Sequence, residues 1–225
     1  MVTRKKTAAP EGDGRQRILA AAAETFASVG FDGARIDDIA ERARVNKAML
    51  YYHVGDKESL YTAVLTETFD RGFSTIDAAT AGSMSPADKL QAIVNAFARF
   101  GSENPVFIPI VLREIASGGV HLPDAMIIRM AGIFRLVSDV LREGMESGVF
   151  RTKDPLLTHV SIAGSIMFLV AAQPVRLRVA KIAGVDAGSY SASDLAAHLG
   201  DLFLRGLITT PAGKPKRTNR RRSQS

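Results

Sequence analysis

The chain's 225 residues include no cysteine and no tryptophan, which removes disulfides, thiol catalysis and cysteine-metal sites from consideration. Its composition is 46% hydrophobic, enough to fill a sizeable core. The formal net charge of +6 is concentrated at the ends: six Lys/Arg and no acid follow Thr209, so the remainder is neutral, and without Arg4, Lys5 and Lys6 the middle stands at −3. Overall basicity therefore does not by itself establish a nucleic-acid partner, because basic tails also serve solubility and nonspecific contacts.

The longest nearly uncharged apolar stretch, Val160 to Val175, is interrupted by Ser, Gly, Gln and Pro and is shorter than the ~18 or more apolar residues of a bilayer span. The start of the chain has basic residues but no apolar run after them, unlike a secretory signal. The expectation is a cytoplasmic protein with no membrane partner.

No alternation of period two persists, whereas helical spacing recurs, so the sequence reads as all-α with about nine helices. Residues 1–13 read as a disordered basic arm. A first helix spans about Gly14 to Val29, with Ile18, Leu19, Ala22, Ala23 and Phe26 on one face and Gly30 as its stop. A second covers Ile36 to Ala43, with Asp37 and Asp38 in the first turn, where the helix dipole favours acids. After a tight turn at Arg44-Val45-Asn46, a third spans Lys47 to His53. Asp56 caps a fourth that continues through Leu60, Val64, Leu65 and Phe69.

Past the small, polar "TAGSMSP", Ser85-Pro86-Ala87-Asp88 is a strong helix start. Asn104-Pro105 opens "VFIPIVLREIASGG", which Gly118-Gly119 closes. A long helix covers about Pro123 to Glu146, and Asp154-Pro155 starts another. A loop containing Pro174 and Gly184 is expected next, and Ser193-Asp194 is read as the start of the last helix. Residues 209–225 read as a disordered basic tail. Thr158 to Ala172 is apolar on more than one face and must be covered all round, either in the core or by a second copy of the chain. The dimer reading uses Ala163, Gly164, Met167, Leu195, Leu199, Leu202 and Phe203.

Ile36 to His53 has the spacing of a helix-turn-helix. Leu50 and Val54, four apart, point inward with Val45 behind them. Lys47, Ala48, Tyr51 and Tyr52 are then left on the outer faces. An exposed tyrosine presents a ring to a thymine methyl and a hydroxyl to a phosphate or base edge. For any one Tyr or Lys, a half-buried or solvated surface role is the commoner explanation; the combination points to DNA.

Here the sequence resembles the TetR family (TetR/AcrR type) of transcriptional regulators. "RILAAAAETFASVGFDGARIDDIAERARVNKAMLYYHVGDKESLY" follows the family's amino-terminal domain, and the pairing of "IA..A..V" with "LYYH..DKE.L" is specific. The resemblance implies a DNA-binding domain over residues 14–60 and an effector-binding and dimerisation domain over 61–208. It implies that Lys47, Ala48 and Tyr51 face bases with Met49 close by, and that Tyr52, His53 and Lys57 approach the backbone. Arg44 stands where the family often has glycine, at a cost of ~1 kcal/mol or more if φ is positive, which a phosphate contact would recover. Ala34 and Arg35 replace the usual capping Thr/Ser, and Val54 replaces a frequent phenylalanine.

The function so implied is ligand-responsive regulation, as a repressor that binds a palindromic double-stranded operator as a homodimer and is released by a small hydrophobic effector. Candidate pocket residues are Phe97, Phe107, Ile110, Arg113, Met126, Met130, Phe134, Met167 and Phe168, with Arg113-Glu114 as a possible charged pair. His121 and His159 are isolated, so neither a metal nor a cofactor is expected. No catalytic constellation emerges, so the chain is not read as an enzyme. The alternative is a helical architectural or partner-binding protein without operator specificity.

Overall fold

The computed structural model describes residues 11–186, 188 and 190–209. These form an all-α protein of ten helices: α1 (Glu11–Gly33), α2 (Ile36–Ala43), α3 (Lys47–Val54), α4 (Lys57–Thr80), α5 (Pro86–Glu103), α6 (Phe107–Ala116), α7 (Asp124–Glu146), α8 (Pro155–Ala171), α9 (Gln173–Ala183) and α10 (Ala192–Leu207). Asp56, Ser85 and Asp154 each accept the N–H three residues on, from Ser59, Asp88 and Leu157. Each thereby satisfies one of the donors that a helix start leaves open. The chain breaks at Gly30, with φ 76° and ψ 178°, a backbone that only glycine adopts without a Cβ penalty. Helix α1 begins at Glu11, three residues ahead of the expected start; most of the expected basic arm and tail, including Arg4, Lys5, Lys6 and the run from Lys214 to Arg222, lies outside the described residues.

Two expectations are corrected. The segment after Ala172 is a helix and not a loop: Pro174 stands in its first turn, where a missing N–H costs nothing, and Gly184 closes it in the left-handed region. Helix α9 leaves α8 at a bend of 65°. The last helix is capped by Ser191 and not Ser193, in a reciprocal capping box with Asp194.

Two hydrophobic clusters organise the molecule. The first joins Ile18, Ala22 and Phe26 of α1 to Ile39 and Ala43 of α2, Leu50 of α3 and Leu60 to Phe69 of α4, and extends into Ile110, Val111 and Met126. The second is built from the end of α4 with α5, α7, α8 and α10, around Ile76, Leu90, Ile93, Val137, Ile162 and Leu199. Helix α4 spans both, so head and body share a rigid element. Phe150, beyond α7, lies directly over Gly144, where an added Cβ would sit 2.0 Å from the ring. A short bridge beside it ties Arg151 N–H to the Leu207 carbonyl, 2.7 Å, at the end of α10. No single helix among the described residues is long and apolar enough to cross a membrane.

Candidate nucleic-acid interface

Helices α2 and α3 meet across a turn that two residues set. Arg44 ends α2 in the left-handed region, φ 55° and ψ 44°, its N–H bonded to the Ala40 and Glu41 carbonyls. Asn46 then caps α3, its side chain accepting the Met49 N–H at 2.7 Å. Leu50 is fully buried, and Val45 and Val54 pack against the same core. That anchoring turns the remaining positions outward: Lys47, Ala48 and Met49 are exposed, as are Tyr51 (46%) and Tyr52 (79%). A ring four-fifths open to water contributes little to folding. As α3 is only eight residues long and starts in solvent, its leading face can enter a major groove.

The charges around α3 are partly engaged. Lys47 Nζ lies 2.8 Å from Asp37 of α2, a bond that holds the Asp37 carboxyl below its usual range and pushes the Lys47 ammonium up. Lys57 sits over the Phe31 ring, 4.6 Å from its centroid, and donates to the Asp32 carbonyl at 3.3 Å, so its amine braces the end of α1. His53 is half-buried; its Nε2 is buried without a partner and faces Gly14 of α1. Arg35 and Arg44 are exposed beside the turn. Arg35 makes no side-chain cap for α2, as its chemistry implies.

Behind this surface, α6 grips the head with two adjacent residues that point different ways. Arg113 is exposed and donates from Nε to the Ala27 carbonyl (3.2 Å) and from Nη2 to the Ser28 carbonyl (2.6 Å), capping α1 just before its break at Gly30. Glu114 is buried and accepts a 2.6 Å hydrogen bond from the Tyr61 hydroxyl of α4. Burial and this carboxylate push the Tyr61 phenol far above the usual tyrosine range, so it stays a donor. His121 stacks on Phe31, 4.5 Å between centroids, and its Nε2 lies 3.3 Å from Asp32. Arg113 and Glu114 thus point apart, one to the α1 carbonyls and the other to Tyr61 of α4. The capping role of Asn46 and the buried acceptor role of Glu114 are not read from the sequence, although each leaves a signal: Asn46 directly precedes the helix, and Glu114 falls in phase with Ile110 and Val111 on the buried face.

The structure brings five of the other candidate pocket residues together at the first core and leaves Phe97, Phe134 and Phe168 apart from them. Phe97 and Phe134 flank His159, at 6.4 and 5.6 Å between centroids, and burial lowers the His159 pKa. Ile110 and Met126 are buried in the first core, where Phe107, Met130 and Met167 pack against it; Phe107 also meets the Phe69 and Phe100 rings. Phe168 is 69% exposed on the outer face of α8. Of the residues named for a dimer, Leu199 is in the second core, Phe203 packs against that core, and Ala163 and Leu195 are half-buried. Leu202 is exposed, and nothing lies within 4 Å of a Cβ placed on Gly164. Leu157, Val160 and Phe168 join that open face of α8 at helical spacing.

A capped, solvent-facing α3 held across a tight turn by α2 defines a helix-turn-helix DNA-binding protein. Residues 18–64 match the bacterial regulatory proteins of the tetR family, and residues 86–199 match the tetracyclin repressor-like C-terminal domain. The chain belongs to the tetR family, and its class is that of DNA-binding transcriptional regulators, not enzymes. It is similar to the HTH-type transcriptional repressor NicS of Pseudomonas putida, 28% identical over 201 residues that cover 86% of this chain and 92% of that one. It is also similar to the HTH-type transcriptional repressor SCO4008 of Streptomyces coelicolor, 30% identical over 178 residues, 78% of this chain and 86% of that one. Among solved structures, a tetR-family regulatory protein from Rhodococcus RHA1 superposes with a TM-score of 0.74 at 21% identity, covering 88% of this chain and 98% of that one. AibR in complex with isovaleryl coenzyme A and operator DNA superposes at 0.67 with 17% identity, covering 84% and 97%.

Proposed function

We propose that the protein is a repressor that binds a palindromic operator as a homodimer and releases it when a small, largely apolar effector enters the helical body. The reading is carried by the exposure of Tyr51 and Tyr52 on a helix whose other side is locked by Leu50. In it, Lys47, Ala48, Met49 and Tyr51 meet base edges, and Tyr52, Arg44, His53 and Lys57 lie toward the sugar-phosphate backbone. Two heads would read successive major grooves about 34 Å apart. The apolar face of Leu157, Val160, Phe168 and Leu202 supports pairing of two copies through α8 and α10, since an isolated chain gains nothing by exposing it.

The regulatory half rests on the α6 grip. An effector that binds one position of α6 more tightly than another shifts the head through Arg113 and Glu114. The named relatives NicS and SCO4008 are repressors, and AibR was crystallised with isovaleryl coenzyme A and operator DNA together. Footprinting on genomic DNA tests the proposal: it expects a two-fold symmetric protected site whose occupancy falls on effector addition. An asymmetric footprint, or none, refutes the dimeric operator reading.

A further inference from the structure

A cavity of about 470 Å³ opens between the end of α5, the first turn of α6, the α8–α9 junction and the start of α10. That volume lies in the ~300–1,000 Å³ range of small-molecule sites. Ile108, Val170 and Leu195 give it apolar walls, and the absence of a side chain at Gly101 lets Ile108 lie close against α5. Among its described lining residues Arg176 is the only charged one. The 65° bend after α8 delivers Arg176 to this place, in the first turn of α9. Its Nη1 donates to the Leu169 carbonyl at 3.2 Å and its guanidinium lies over the Tyr190 ring, 5.6 Å from the centroid. Its Nε is buried with no partner among the described residues, and none of the described lining residues is a carboxylate.

A half-buried arginine whose Nε is enclosed with no partner among the described residues, facing a cavity that no described carboxylate lines, is an incomplete site, because enclosed polar groups are ordinarily hydrogen-bonded. A planar carboxylate completes it, accepting from Nε and the free edge of the guanidinium in the two-point geometry that arginine offers. We infer that this cavity binds a small apolar monocarboxylate as its anion, clamped by Arg176, with the hydrocarbon part against Ile108, Val170 and Leu195. The cavity also touches the machinery of the head: α6 lines it with Ile108 and Pro109 at one end and holds α1 and α4 with Arg113 and Glu114 at the other. A ligand there pushes on the helix that positions the reading head. This regulatory consequence rests on the effector-responsive reading; the binding site does not.

Calorimetry on the full chain without DNA separates the two. The probes are hexanoate, octanoate and benzoate, with 1-octanol and inorganic phosphate for comparison. At least one carboxylate binds once per chain with Kd below about 1 mM, octanol and phosphate bind at least tenfold more weakly, and Arg176→Gln weakens the carboxylate at least tenfold. Arg176→Lys, which keeps the charge but not the planar geometry, weakens it at least threefold and serves if R176Q melts well below the native chain. No carboxylate binding, equal binding of octanol or phosphate, or equal affinity in the variants overturns the site. Operator release is then titrated separately with the carboxylate that binds: release supports the regulatory link through α6, and binding without release removes that link while leaving the clamp standing.

Discussion

Replacing Tyr61 by phenylalanine removes one oxygen from the joint between head and body. Tyr61 and Glu114 are 2% and 3% exposed and their hydrogen bond is 2.6 Å long. Deleting the donor leaves a buried carboxylate with the more distant His121 N–H at 3.4 Å, and hydrogen bonds to charged groups are worth about 1.5–3 kcal/mol. In a chain of this size 1 kcal/mol moves the melting temperature by about 2–4 °C, so Tyr61→Phe is expected to lower it by about 3–12 °C. Glu114→Gln keeps an acceptor for the phenol and costs less. Combined, the two changes cost less than the sum of the singles, because the second acts on a hydrogen bond that the first has already removed. Tyr52→Phe, in an exposed ring, is the control and stays within about 0.5 kcal/mol. Denaturant unfolding of the four variants decides it: a Tyr61→Phe chain as stable as the control, or strictly additive losses, would show that this hydrogen bond does not join head to body.

Four further outcomes follow from the geometry. Asp37→Asn frees Lys47 from its 2.8 Å partner and removes an anion beside the DNA face, so operator affinity rises and the log-log salt slope steepens by up to ~0.9; unchanged affinity in an anisotropy titration counts against Lys47 as a DNA-binding residue. Arg44→Gly relieves a left-handed arginine, φ 55°, stabilising the fold by up to ~1 kcal/mol in a thermal melt while weakening operator binding; loss of stability contradicts the strain. Burial lowers the His159 pKa, so the unfolded chain binds the extra proton and stability declines as pH falls below about 6.5; His159→Gln flattens that decline between pH 7 and 5, and parallel curves refute the assignment. Phe168→Glu on the open face of α8 yields monomers in sedimentation with an unchanged fold by circular dichroism; an intact dimer places the interface elsewhere.

Much of the fold is legible in the chain because its signals are local. Asp56, Ser85 and Asp154 mark helix starts through bonds that reach only three residues, and Gly30 marks a stop through its own φ. Pro174 obscures helix α9, since a proline inside a turn and one at a helix start read alike until the following residues are seen to be hydrogen-bonded. The outward face of α3 follows from the spacing of Leu50 and Val54. The body's site is less legible, because periodicity says that a residue is buried and not against what. Leu199 and Leu202 share a helix, yet one faces its own core and the other solvent. Phe168 and Met167 are neighbours on α8, yet one faces solvent and the other packs against the first core. Arg176, in a segment whose sequence reads as loop, acquires its cavity from a bend that no local pattern encodes.

The most direct measurement is operator affinity of Tyr51→Ala beside its melting temperature, using the protected sequence from a genomic footprint. Tyr51 is nearly half exposed, and removing one side chain from a base edge costs about 1–3 kcal/mol, so affinity falls between about fivefold and 150-fold while the melt moves by less than about 2 °C. Undiminished operator binding, or a drop in affinity matched by unfolding of the chain, would contradict the placement of α3 in the groove.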